Sequence, residues 1–575
     1  MPGGSKPMER RVRCFLGITM VLVFMSLLMY GVQDRSWKPS PNPPAIRTRK
    51  PIPHPQPLQS RTTVPHPIHS RIITPHPRPI QSNTTIPNPP ATVKQLFPEI
   101  HGKKPNVSIH QYSAMYFKQL KFSLQSHSAK NFTVGDTLRV VFSARNKQGN
   151  IITNTGDYFR ASIFNLKTKS GAVGIITDHK NGTYTATFKL LWAGEVNIIV
   201  KLVHPRQAIE VIERTVWEHP VDKIMFVKRY LIGKAKVDTR CNVDPAVLNT
   251  HTPVCNYSDP QAGVRWYCEK AANISCNTSG YHGRLPTSVK LLRKGEEKLF
   301  GRGLNGIKKS ISGSPSKIYV TSGLNPLVNR TRCMPGLPTP QISGFYKGGV
   351  WNSLVCHNRH FSNQSEWRTC LRGKTLHFMG DSTIRQWYEH LVKLLKLSDR
   401  PLPDAIHQTG PLLARDTVNN ITVKYRSHGP PLRCAWTRTF HLQYVANVID
   451  EIEGGQNDIV GISVWAHFTT YPVDMYRERM EAIRAAIQRL HQRSPQTLVV
   501  IKSANTRTGN ELLAGDWLAY QLDLVMREMF EGMNVVLVDA WEMTTAQQWH
   551  GDAIHPTSDI VIQELQYLCS FVCPL

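Results

Sequence analysis

The chain has 575 residues, of which 41% are apolar and 19% charged, an ordinary globular mixture that excludes a wholly disordered or collagen-like protein. At about 150 residues per domain the length allows roughly three or four domains. Lysine and arginine number 70 against 40 acidic residues, a formal net charge of +30, which points to nucleic acid, an anionic membrane surface or a polyanionic substrate.

Lys6, Arg10, Arg11 and Arg13 precede an uncharged, mostly apolar run from Cys14 to Val32. A helix of that length is about long enough to cross a hydrocarbon core of roughly 30 Å. Residues 14–32 are therefore predicted to be a signal-anchor transmembrane helix. The basic flank keeps 1–13 cytoplasmic and sends the rest into the lumen. A cleaved signal peptide has a shorter apolar core and a small-residue cleavage site; Met29-Tyr30-Gly31-Val32 supplies no good one. The expected topology is single-pass type II in a Golgi or other secretory-pathway membrane, with a shed form left open, and that compartment removes nucleic acid from the partners.

Two counts agree with a lumen. Glycosylation sequons occur at Asn83, Asn106, Asn131, Asn181, Asn256, Asn273, Asn277, Asn329, Asn363 and Asn420. Eleven cysteines, less Cys14, leave an even number for disulfides. Structural zinc sites need close cysteine pairs, and the nearest pair here, Cys569 and Cys573, has no second pair beside it, so no metal site is predicted.

Sixteen of the 40 prolines fall between Pro39 and Pro90, in imperfect repeats such as Val64-Pro65-His66-Pro67 and Thr74-Pro75-His76-Pro77. Such a segment favours extended polyproline II geometry and reads as a semi-rigid stalk over 33–100; a histidine metal tract is the competing reading. Next, Thr137–Phe142, Phe159–Phe164, Gly182–Phe188 and Val196–Val200 read as strands, with Asn181-Gly182 as a tight turn. They predict an immunoglobulin-like β-sandwich at about 107–215, a spacer or recognition module without evident chemistry. Cys241, Cys255, Cys268, Cys276 and Cys333 mark a loop-rich, stapled segment over 216–345.

From about 346 to 575 strands alternate with helices. Thr375–Gly380, Ile421–Tyr425, Asp458–Val464, Leu498–Ile501 and Val535–Val538 are near-continuous apolar runs. Helical patterns cover Ile384–Leu397, Leu442–Glu453, Val473–His491, Trp517–Phe530 and Ser558–Leu568. This predicts a doubly wound α/β domain, whose ligands bind beyond the carboxyl ends of the strands.

At such an end the chain reads Gly380-Asp381-Ser382-Thr383-Ile384-Arg385-Gln386. Ser382 is placed at a helix N-terminus that favours developing negative charge, although Asp and Ser there are also ordinary helix caps. A nucleophilic serine needs a base and an orienter, and Asp552-Ala553-Ile554-His555 follows the last strand. Asp404-Ala405-Ile406-His407 repeats the same four residues, but lies in the long connection after the first helix, so His555 is the predicted base.

These motifs resemble SGNH or GDSL hydrolases. Phe378-Met379-Gly380-Asp381-Ser382-x-Ile384-Arg385-Gln386 resembles their PC-esterase branch, which includes sialate O-acetyltransferases. With the sandwich and the cysteine-rich segment, nearly the whole lumenal chain is similar to the neurexophilin and PC-esterase domain family. That resemblance implies a neurexophilin-like region at 101–345 and an esterase-like domain at 346–575. It implies Ser382 as nucleophile, His555 as general base and Asp552 as its orienter, with an acetyl-serine intermediate. The usual asparagine after the third strand is absent, and Gly429, Ser463, His467 or Asn505 are the oxyanion candidates beside the Ser382 N–H. Arg385 is a substrate-binding candidate or a solvated helix face. The resemblance further implies a glycan O-acetyltransferase with acetyl-CoA as donor, no bound cofactor, and sialylated or other acidic glycans as acceptors. An O-acetylesterase and a non-catalytic ligand, meeting a cell-surface protein through the neurexophilin-like region, are the alternatives.

Overall fold

The computed structural model describes residues 120–125, 131–146, 148–153, 156–249, 251–285, 289–300, 310–323, 325–328, 330–400, 402–507, 512–551 and 554–575. The expected membrane helix and stalk lie outside them, as do Asn83, Asn106, Asn329 and Asp552. Among the described residues no helix is long and apolar enough to cross a membrane. Asn131, Asn181, Asn256, Asn273, Asn277, Asn363 and Asn420 are all exposed, as glycan attachment requires.

The four strands expected in the first region form as Thr137–Ser143, Tyr158–Asn165, Thr183–Lys189 and Gly194–His204. The first two are not hydrogen-bonded neighbours, yet the Phe142 and Phe159 rings lie 4.9 Å apart. The sheet thus folds over itself in two layers, around Leu138, Val140, Ile163, Phe188 and Val200. Ser170–Asp178, not foreseen from the sequence, links the layers by pairing first with Tyr158–Asn165 and then with Thr183–Lys189. Its glycines weaken the strand signal but are required: a Cβ at Gly174 would stand 2.2 Å from the Phe188 ring.

The expected boundaries need correction. The sandwich does not stop at 215, because Lys317–Thr321 pairs with Gly194–His204, and Tyr346 of the hairpin Gly344–Lys347/Val350–Ser353 stands opposite Gly171. A division at 345 would cut that hairpin. Inside the expected sandwich range, Arg206–Glu218 is instead a helix that buries Ala208, Val211 and Ile212 at helical spacing. The segment after 216 is more regular than expected. Met225–Ile232, Ala235–Asn242, Val254–Asn256, Tyr267–Glu269 and Tyr281–Leu285 build a second sheet, which also takes in Thr437–Arg438 from far along the chain. Cys241–Cys268 and Cys255–Cys276 staple it, Cys333–Cys356 and Cys370–Cys573 follow, and Cys434 and Cys569 are buried free thiols.

The third sheet contains β1 (Thr375–Gly380), β2 (Ser398–Asp399), β3 (Leu412–Asp416), β4 (Ile421–Ser427), β5 (Asp458–Ser463), β6 (Leu498–Lys502) and β7 (Val536–Val538) in the order β2-β3-β4-β1-β5-β6-β7. Strands β4, β1, β5, β6 and β7 are parallel, and β2 and β3 form an antiparallel edge. Leu376 and Phe378 of β1 pack to one side with α1 (Gln364–Leu371), α2 (Ser382–Leu395) and α7 (Ser558–Val572), while Met379 faces the other side with α3 (Val445–Asp450), α4 (Val473–Arg493) and α5 (Asp516–Phe530). Both faces are therefore covered, and the chain reverses direction across the sheet between β1 and β5, where such folds open a crevice. The short α6 (Ala540–Ala546) lies against the sandwich, where a Cβ on Gly171 would be 2.2 Å from the Ala546 carbonyl oxygen.

Polar contacts fasten the two halves together. Arg160 of the sandwich pairs with Asp516 of α5 at 3.2 Å, with both side chains buried, and Gln548 bridges Lys201 and Ser162. Removing one partner of a buried ion pair costs about 3–5 kcal/mol. Arg160→Met is therefore expected to lower chemical-denaturation stability by that amount and to shift the unfolding of both halves together; a shift of one half alone would contradict a shared core.

Candidate active site

Paired strand ends determine the site. Gly380 stands opposite Ser427 of β4 on one side and Ser463 of β5 on the other, so the turn leaving β1 is flanked by the segments leaving both neighbours. The backbone of Gly380 has φ +145, and a Cβ there would lie 1.8 Å from the Ser463 carbonyl oxygen. Glycine is required at this position.

Asp381 follows, almost completely buried. Its backbone N–H donates to the Ser463 carbonyl at 2.9 Å. One carboxylate oxygen accepts from the Thr383 N–H at 2.9 Å and the Thr383 hydroxyl at 2.7 Å, capping α2. The other accepts from the N–H groups of Trp465 at 3.2 Å and Ala466 at 2.9 Å, in the loop after β5. One side chain thus joins the start of α2 to the neighbouring loop. Ser382, the first residue of the helix, is left half-exposed, and its own N–H has no hydrogen-bond partner among the described residues.

His555 meets it there, with Nε2 2.6 Å from Ser382 Oγ. The loop carrying His555 is held on both sides: Asn505 Nδ2 donates to the Ile554 carbonyl and Gln386 Nε2 to the Pro556 carbonyl, each at 2.9 Å. Desolvation and the Arg385 cation push His555 below the ordinary imidazole pKa, against the opposing pull of Asp381 and Glu389. The repeated tetrapeptide goes elsewhere. His407 pairs with Glu389 at 2.8 Å and Asp404 with Arg438 at 3.5 Å.

The other sequence candidates are placed as follows. Arg385 donates to Glu389 one helical turn on and to the Gln408 carbonyl, each at 2.8 Å, and keeps part of its side chain in solvent. Ser463 is buried, its hydroxyl 3.3 Å from that of Thr383. His467 accepts from the Arg433 N–H at 3.0 Å, and burial, with Arg433 next, drives its imidazole well below the ordinary range. Gly429 has φ +72 and packs on Tyr444. Asn505 gives an amide hydrogen to the His555 loop. Among the candidates, then, Ser382 and His555 are in contact and Asn505 supports the contact. Asp381 and Gln386 sit inside the quoted motif, but their clamping roles depend on partners about 80 and 170 residues away.

If the turn is built this tightly, Gly380→Ala should destabilise the protein by about 3 kcal/mol or more through overpacking, and Asp381→Ala by a similar amount through unpaired buried N–H groups. Equilibrium denaturation checks both, and wild-type stability in either variant would contradict this assembly of the turn.

Two comparisons with known families match this architecture. A family model described as NXPE family member 4-like, C-terminal domain, covers residues 351–573, and one described as neurexophilin covers residues 99–294. The first contains the β1 turn and the His555 loop; the second contains most of the sandwich and of the stapled sheet. With both matches in one polypeptide, the chain belongs to the neurexophilin/NXPE family.

Proposed function

We propose that the chain is a serine-dependent O-acetyltransferase of the secretory pathway that acts on glycan hydroxyls, with Ser382 as nucleophile and His555 as base. The observation that carries this reading is the 2.6 Å contact between Ser382 Oγ and His555 Nε2, made at the N-terminus of α2 beside the β1/β5 crevice. That placement, with the β4-β1-β5-β6-β7 order, supports an SGNH-type domain, and the two-layered sheet an immunoglobulin-like sandwich. Four disulfides support an oxidising compartment.

In the first half-reaction the proton on Nδ1 leaves Nε2 free to accept the Ser382 hydroxyl proton as Oγ attacks an acetyl carbonyl. The developing oxyanion is met by the Ser382 N–H and the helix dipole. His555 returns the proton to the departing thiol or alcohol, leaving acetyl-Ser382. A sugar hydroxyl then attacks, gives its proton to His555, and the proton returns to Ser382 as the ester is released. Water in place of the sugar would give an esterase. Asp552, three residues before His555, is proposed to hold Nδ1.

Protonation of Nε2 blocks the attack, so the rate is full above the lowered His555 pKa and falls as pH drops through it. With acetyl-CoA and a sialylated acceptor, transfer at limiting substrate should rise to a plateau with a midpoint below 6.5. Ser382→Ala should lower it by at least about a thousandfold. Transfer by Ser382→Ala equal to wild type would overturn the proposal. Acetate release without acetylated sugar would replace it with the esterase reading.

A further inference from the structure

The geometry points to a buried ion pair that sets the Ser382–His555 contact from behind: Lys502 and Glu564, acting through Asn505, are positioning residues for the base. This rests on the reading of Ser382 and His555 given above. Lys502 ends β6 and Glu564 lies on α7; both side chains are fully buried, with Nζ and Oε1 3.7 Å apart. Lys502 Nζ also donates to Asn505 Oδ1, and Asn505 Nδ2 donates to the Ile554 carbonyl, one residue before His555. On the other side, Glu564 Oε2 accepts from the Trp387 indole N–H at 2.6 Å, and Trp387 is on α2, five residues after Ser382. A single chain of polar contacts therefore runs from the helix of the nucleophile to the loop of the base.

The chemistry of the lysine gives the chain a direction. An ammonium only donates, so Asn505 must turn its carbonyl oxygen toward Lys502, which leaves its NH2 for the loop. Without the cation the amide could flip and present an acceptor to the Ile554 carbonyl, releasing that side of His555. Glu564 supplies the opposite charge that a buried ammonium requires. Such pairs are weak evidence for stability, since apolar replacements are often neutral or stabilising, whereas orienting one amide is something an apolar pair could not do.

The test uses the full chain, with a fluorophosphonate probe for Ser382 and hydrogen exchange for the loop. Lys502→Met/Glu564→Gln removes both charges and keeps an acceptor for Trp387; a cooperative melt with four disulfides intact establishes folding. This variant should label Ser382 at least about tenfold more slowly than wild type, with faster exchange at the Ile560 and Val561 amides, which donate to the Thr557 carbonyl at 3.0 and 3.1 Å at the end of the His555 loop. Asn505→Ala should show the same loss, and the two combined no more than either alone, the non-additivity expected of one network. Wild-type labelling in the double variant, or losses that add in full, would overturn the inference. If wild type itself does not label, the nucleophile reading fails, and exchange still decides: unchanged protection at those amides in the double variant overturns positioning.

Discussion

The carboxylate of Asp381 is the tie on which the site depends. Four donors converge on it, two from the start of α2 and two from the loop after β5. A buried carboxylate is costly unless its lone pairs are filled, and filling them fixes the β1 turn relative to its neighbour. With the turn fixed, Ser382 is aligned by the helix it begins, and the His555 loop by Gln386 of the same helix, whose amide donates to the Pro556 carbonyl. The contact between them is therefore a property of the parallel sheet's carboxyl edge and does not rest on loop conformation alone.

The two halves of the family architecture are structurally inseparable around that edge. Thr437–Arg438, in the segment after β4, completes the stapled sheet by pairing with Tyr281 and His282. His282 Nε2 bonds to the Leu432 carbonyl at 2.8 Å. The same segment reaches α2, because the Ala435 N–H donates to Gln408 Oε1 while the Gln408 carbonyl accepts from Arg385. The stapled sheet is thus linked to α2 through this segment. The basic excess also has an architectural side: buried Arg479 holds the carbonyls of His428 and Pro430, and Arg493 those of Ile449 and Ile452. Of the net charge, +20 belongs to residues 101–575, and part of that holds loops together instead of facing a polyanion.

What could be read from the sequence was whatever one segment specifies by itself. The five parallel strands are near-continuous apolar runs, and α2, α4, α5 and α7 keep helical spacing, so their places were legible. Ser170–Asp178 was hidden by its glycines, which are needed to let Phe188 approach. Thr437–Arg438 is two residues long and exists as a strand only because Tyr281–Leu285 lies beside it. Val445–Asp450 is shorter than its apolar pattern suggested. At the site, Ser382 and His555 stood out by motif and position. The orientation of Asn505 did not, because it follows from a lysine whose burial only the fold reveals, although a lone lysine closing the run Leu498–Ile501 was a visible signal.

The central claim is that the Ser382–His555 contact supports covalent acyl transfer. The most direct measurement is peptide mass spectrometry of the protein after brief incubation with acetyl-CoA and no acceptor. The account predicts one acetyl group on the peptide containing Ser382, lost on addition of a sugar acceptor and absent from His555→Ala. An unmodified Ser382 in the wild-type protein, or an acetyl group that persists when acceptor is added, would contradict it.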